Sequence, residues 1–266
     1  MSAIGVGERR PLRSVAVPSE HGGWGLTLEP VVLGLLIAPS LAGAALAAGA
    51  FLAFLVRTPL KFVAVDRRRQ RWLPRSVLAL RVALVELAAL AVLAGWVTYA
   101  EGPAWLVPVA LAAPLAAVAL WFDARSRSRR LLPELCGTGA MASVVAAIVI
   151  AGGRSGAVAA GAWLVLAGRS AGAIPFVRAQ IARLHGRPAS PAPSDVMQVV
   201  GVGAGVAAAL VEHRLLAGLL TLIASALLHV LWARRPPVPA KVLGLRQAVL
   251  GLGLVVVTAL GVILTA

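Results

Sequence analysis

Acid and cysteine are the scarce residue types of this 266-residue chain. One cysteine, Cys136, excludes an internal disulfide and a cysteine-based metal cluster. Ten acidic residues face 25 Lys and Arg, giving a net charge of +15. The sequence contains no HExxH and no Walker loop. His185, His213 and His229 are scattered along the chain and make no metal set. No aromatic-rich basic module accompanies the charge, so nucleic acid is not an expected partner. The first twenty residues hold no apolar h-region. No cleavable signal is therefore expected, and the first helix must itself direct insertion.

What is present is apolar length. Hydrophobic residues make up 60% of the chain and the mean hydropathy is +0.90, which excludes an ordinary soluble domain. Apolar runs of about 16 to 22 residues recur from Trp24 onward, each enough or nearly enough to cross a bilayer as a helix. We place spans at 24–42, 44–60, 77–96, 104–122, 134–151, 157–176, 196–211, 214–233 and 246–265. Pro39-Ser40, Glu101-Gly102-Pro103, Gly152-Gly153 and Glu212-His213-Arg214 read as tight turns. Trp24, Trp72, Trp96, Trp105, Trp121 and Trp232 fall near the predicted interfaces, as an aromatic belt does. The seventh span is short, so eight spans are the alternative to nine. The expected fold is an all-α transmembrane bundle: an N-terminal arm at 1–23, then one bundle domain at 24–266.

The charge lies between these runs and mostly in alternate connectors. The N-terminal arm has Arg9, Arg10 and Arg13; the second connector has Lys61, Arg67, Arg68, Arg69, Arg71 and Arg75. The fourth has Arg125, Arg127, Arg129 and Arg130, the sixth Arg178, Arg183 and Arg187, and the eighth Arg234, Arg235, Lys241 and Arg246. The intervening connectors hold only Arg154 and Arg214. The positive-inside rule then predicts a cytoplasmic N-terminus and an outer C-terminus. The expected location is a bacterial inner membrane, crossed many times, with the arginines against anionic lipid headgroups.

A few charges fall inside the apolar runs. Glu29, followed by Pro30, lies in the first span, where a lone carboxylate costs several kcal/mol unless paired, hydrated or protonated. Arg57, at similar depth in the second span, is its expected counter-ion, for structure or for function. Glu86 and Arg81 in the third span stand about 140° apart on the helix, so each is expected to find a partner on a neighbouring helix. Glu8, Glu101 and Glu212 read as solvated loop residues. Arg169 is the most exceptional: it sits about two turns inside the sixth span. Arginine stays protonated there and must meet an acid, carbonyls or water. Pro175, Arg178 and Arg183 follow it as a basic ladder. Glu20 and His21, in the glycine-rich run Pro18 to Gly25, are candidates for proton chemistry, capping or headgroup binding.

The stretch Pro18 to Pro30, PSEHGGWGLTLEP, resembles the opening of the YwiC-like family of bacterial membrane proteins, and Arg57-Thr58-Pro59-Leu60-Lys61 fits it too. That resemblance implies an integral membrane protein and no particular reaction. Trp121-Phe122-Asp123 to Arg130, with Leu132-Pro133-Glu134-Leu135 and Gly137, is more distantly similar to UbiA-type prenyltransferases. This second likeness implies a UbiA-like arrangement, an isoprenoid or lipid phosphate ligand, and a prenyl or lipid transferase if the chain is an enzyme. It also implies Mg²⁺ held by Asp-rich motifs, of which only Asp66-Arg67 matches here. With so few carboxylates, Arg57, Lys61, Arg67, Arg178 and Arg183 are candidates to hold an anion directly, beside Glu29 and Arg169. The candidate catalytic set is Glu20, His21 and Asp66. A small-anion transporter using Arg169, with Glu29 or Glu86 as proton-coupled partner, stays open, as does a non-catalytic assembly factor.

Overall fold

The computed structural model describes Val15 and residues 21–265, so Glu20 and nearly all of the predicted N-terminal arm lie outside the described residues. Among the described residues the chain forms nine α-helices and no strand. They are α1 (His21–Ile37), α2 (Leu41–Arg68), α3 (Pro74–Glu101), α4 (Leu106–Ala124) and α5 (Leu131–Ala151). Then come α6 (Gly156–Leu184), α7 (Ala192–Val211), α8 (Leu216–Ala233), preceded by a 3-10 turn at His213–Leu215, and α9 (Ala240–Leu264). Counting that turn with α8, eight of these are long and apolar enough to cross a membrane.

The helix ends follow from local chemistry. Pro39 cannot continue a helix, and the Ser40 hydroxyl accepts the Gly43 N–H at 2.9 Å, so α1 ends at Ile37 and α2 begins at once. The first span therefore stops five residues short of its expected end at residue 42. Ser155 caps α6 in the same way through the Val158 N–H. Gly102 and Gly153 turn the chain with φ of +77°, a backbone that a side chain disfavours. Pro74, Pro191 and Pro239 stand at the starts of α3, α7 and α9. The seventh helix runs 20 residues and is a full-length candidate; the shorter apolar helix is α1, from Gly23 to Ile37.

At the centre, α1, α5, α6 and α9 pack together, with Leu33, Val145, Val165, Leu166, Leu254 and Val255 all nearly inaccessible. Behind this group α2 lies against α1, α4 and α5, and carries α3 on its outer side. On the opposite flank α7 and α8 pack on α6, and α8 also meets α9. The most apolar window of α6 is 61% buried and that of α3 only 11%, so α6 is the spine and α3 the outermost helix. Glycine makes the closest approach: a Cβ on Gly168 of α6 would lie 2.6 Å from the Gly201 carbonyl of α7, and the converse is equally tight. The Trp163 indole adds a bond to the Gly139 carbonyl of α5 at 2.9 Å.

Polar side chains stitch together the end of the bundle that carries the arginine-rich connectors. Arg57 donates to both oxygens of Asp123 (2.6 and 3.1 Å), and Lys61 to Ser128 at 3.0 Å. Arg178 donates to the Arg129 carbonyl and to Glu134, Arg183 to the Ala233 and Arg235 carbonyls, and Arg234 to Asp195. The opposite end holds the glycine turns, with Arg154 and Arg214 as its arginines.

Two expectations about side chains are corrected. Trp24, Trp72, Trp96 and Trp121 are exposed near helix ends, but Trp105 is 6% exposed and folds inward to donate to Thr98, while Trp232 packs on Phe176. Glu212 caps the 3-10 turn through the Arg214 N–H, and its side chain is largely covered rather than solvated.

Candidate functional site

The polar heart of the bundle is a cluster contributed by five helices. Arg169, on α6, is 4% exposed. Its Nη2 donates to the Gln247 carbonyl on α9 at 2.8 Å and stands 3.7 Å from Glu29 Oε1 on α1. That is an ion pair just beyond hydrogen-bond length. Its Nε and Nη1 are shielded from solvent and have no acceptor among the described residues. Buried guanidinium N–H groups ordinarily find partners, because leaving one unmade costs about 1–3 kcal/mol or more when charged. The arginine is therefore held by one carbonyl and one loose carboxylate, with two donor nitrogens left over.

Glycine makes room for the carboxylate. A Cβ on Gly251 of α9 would overlap Glu29 Oε1 and lie 2.7 Å from its carboxyl carbon. The Glu29 carboxylate thus fills the space that any side chain at 251 would take. Pro30, the next residue, removes a backbone donor from the helix just there.

Beyond Arg169 runs a second polar row. Gln247 Nε2 lies 3.0 Å from His229 Nε2, and His229 Nδ1 lies 3.3 Å from Gln198 Oε1. Gln198 Nε2 in turn donates to the Gly172 carbonyl at 2.8 Å. One tautomer satisfies the row: His229 donates from Nδ1 and accepts at Nε2. Phe176 stacks on the imidazole with ring centroids 4.4 Å apart, which fixes its plane. The Gln247 side-chain oxygen is buried without a donor, a second unmet group beside the first. Gly168, Arg169, Gly172, Gln198, Ser225 and His229 line a cleft here with room for about one water molecule. From the arginine-rich end the row lies about 6 to 10 Å inward along α7, α8 and α9, at 1.5 Å per residue.

The structure distributes the predicted site residues over several places. Glu29 and Arg169 meet in the core. Glu29 therefore pairs with Arg169 and not with Arg57, whose guanidinium is bidentate on Asp123. The reason is helix neighbourhood: α1 packs on α5, α6 and α9, whereas Arg57 reaches the end of α4. Arg57 holds the end of α4, Lys61 and Arg178 hold the 125–130 connector that follows it, and Arg183 ties α6 to the end of α8. Asp66 stands at the α2–α3 turn, where Arg75 takes both its oxygens (3.0 and 3.2 Å) and Ser76 donates at 2.8 Å. Arg67 is exposed at the end of α2. His21 opens α1, and Glu20 lies outside the described residues. Glu86 has no partner on a neighbouring helix among the described residues: its Oε2 is buried without a donor, and Arg81 is exposed.

The Mg²⁺ chemistry implied by the prenyltransferase likeness does not fit these residues. Among the described residues no three His, Cys, Asp or Glu side chains converge, and Asp66 commits its oxygens to Arg75 and Ser76.

Residues 17–149 match the family described as YwiC-like protein. The chain belongs to the YwiC-like family. The match spans half of this YwiC-like chain, ends within α5, and includes Glu29 but not Arg169, Gln198, His229 or Gln247. No curated protein and no solved structure matches the chain.

Sequence reading singled out Glu29 and Arg169 but passed over Gln198 and Gln247 and set His229 aside as isolated. A signal existed: both glutamines and the histidine interrupt apolar runs at similar distances from basic connectors. Neutral amides cost less than charges in a membrane, so they stand out less.

Proposed function

We propose that this YwiC-like protein is a multi-pass membrane protein with an anion-recognition site at Arg169, reached from the arginine-rich end of the bundle. The observation that carries the reading is the buried guanidinium whose Nε and Nη1 lack acceptors beside a polar cleft. An anion's oxygens are the acceptors such donors fit best, and charge-assisted bonds of this kind are about twice as strong as neutral ones. By the positive-inside rule the arginine-rich end is cytoplasmic, which gives the site access to cytosolic ions or to the inner leaflet. The ligand class is a small anion or a phosphate group. A prenyl tail does not fit the cleft as it stands and would require the bundle to open.

Arg57, Lys61, Arg67, Arg178 and Arg183 act in this reading as the basic rim, drawing anions to the end of the bundle while anchoring its connectors. Asp66 orders the α2–α3 turn. The experiment is a thermal-shift comparison of purified wild type and Arg169→Gln with nitrate, formate, inorganic phosphate and a prenyl diphosphate, against gluconate at constant ionic strength. Stabilisation of wild type alone by a small oxyanion supports the site. Stabilisation of wild type by the prenyl diphosphate alone moves the reading to a lipid-phosphate enzyme. Equal responses in the two proteins refute a site at Arg169.

A further inference from the structure

Resting on the anion site just described, we infer that Glu29 is its built-in competitor, so that one anion binds at Arg169 together with one proton taken up by Glu29. Charge balance leads to this. Glu29 and Arg169 form a neutral pair almost out of contact with solvent, with side-chain exposures of 10% and 3%. An anion added to that pair leaves a net negative charge in a medium where uncompensated charge costs several kcal/mol. An anion added with a proton keeps the site neutral.

The geometry favours Glu29 as the acceptor of that proton. Its carboxylate receives no hydrogen bond from any described residue, and its link to Arg169 is 3.7 Å long. A carboxylate so loosely held has no hydrogen bond to give up when a proton is added to it. Arg169 loses little when that happens, because its Nη2 keeps the Gln247 carbonyl, while its Nε and Nη1 have no acceptor to lose in a side chain that lines the cleft. The charged group that faces Glu29 from α6 is Arg169, and α9 presents the bare backbone of Gly251. His229 of α8 is joined to the α9 side through the Gln247 side chain, with both ring nitrogens already engaged by amides. No charged side chain of α2 or α5 is in contact with Glu29 among the described residues. The cycle needs only a proton from water: it adds to a Glu29 carboxylate oxygen as the anion arrives, and leaves as the anion departs.

The test uses nitrate, whose own charge does not change over the range, and measures its apparent Kd for the full chain from about pH 5 to about pH 8. One proton bound per anion makes wild-type affinity fall about tenfold per pH unit on the alkaline side of the Glu29 titration. Glu29→Gln, neutral throughout, should bind nitrate with no such slope and more tightly than wild type at the alkaline end. The wild-type slope stands as a measurement even if the variant does not fold. Nitrate binding that is independent of pH in wild type overturns the inference and leaves the anion site intact. A slope that survives in Glu29→Gln and disappears in His229→Gln overturns it too, by moving the proton to the histidine. Absence of binding by both proteins at every pH, for nitrate and equally for formate and inorganic phosphate, overturns the anion site and this inference together.

Discussion

Gly251→Ala is a one-carbon perturbation aimed at the Glu29 seat. The new Cβ would lie 2.7 Å from the Glu29 carboxyl carbon, and carbon–carbon contacts settle no closer than about 3.5 Å. The carboxylate must therefore withdraw by about 1 Å. Drawn straight back, the 3.7 Å pair with Arg169 lengthens to roughly 4.7 Å. With an effective dielectric constant of about 20 this loses about 1 kcal/mol of Coulomb attraction. Crowding a packed interior adds about 1–3 kcal/mol. Replacing glycine by alanine in a helix returns at most about 1 kcal/mol, so packing wins and the variant is destabilised by about 1–3 kcal/mol. In a Glu29→Ala background the obstruction is gone, and the same substitution should be neutral or stabilising by up to about 1 kcal/mol. The coupling between the two positions is then about 2–4 kcal/mol, readable from a double-mutant cycle in detergent-induced unfolding. Additive effects, with Gly251→Ala equally costly in both backgrounds, would refute the placement of Glu29 against α9.

The other predictions follow from the same geometry. Arg169→Met alone leaves Glu29 buried and unpaired and should cost about 3–5 kcal/mol in the same unfolding assay, whereas Arg169→Met with Glu29→Gln should recover most of it. Gly168→Ala forces a methyl to 2.6 Å from the Gly201 carbonyl and should cost about 1–3 kcal/mol, because neither backbone can give way cheaply. In a Cys136→Ser background, Ser190→Cys, between α6 and α7, should react with an impermeant maleimide only from the cytoplasmic side. Ser155→Cys, between α5 and α6, should react only from the other side; the reverse pattern would invert the orientation.

The spans were legible because apolar length and turn residues are local signals. Pro39-Ser40, Gly102 and Gly152-Gly153 mark real breaks for reasons contained in a few residues each. The helix ends at the basic side were less legible. Helix α2 runs on to Arg68 and α6 to Leu184, past the expected ends at 60 and 176, because the alanine and arginine in both extensions propagate a helix as well outside a membrane as inside. A hydropathy window stops at the first charges and misses this. The seventh run looked short for a related reason: its first turn, Ala192 to Asp195, is polar enough to read as loop.

The site was half legible. Arg169 and Glu29 announce themselves as charges where charges are expensive, and the sequence required Arg169 to find an acid or carbonyls; it finds one of each. Which acid it finds depends on which helices are neighbours, and depth alone chose Arg57 for Glu29. The contacts of α1 with α9, α5 and α6 are long-range facts that no local pattern encodes. The same holds for the row of Gln198, His229 and Gln247, whose members lie on three helices and have meaning only together.

The most direct measurement on the anion site is an anomalous difference map from crystals of the wild-type protein grown in bromide. The account predicts a peak within hydrogen-bonding distance of Arg169 Nε or Nη1, in the cleft between α6, α7 and α8, and its loss in Arg169→Gln. A clean map with those nitrogens bonded to water, and bromide found only among the exposed arginines of the connectors, would contradict it.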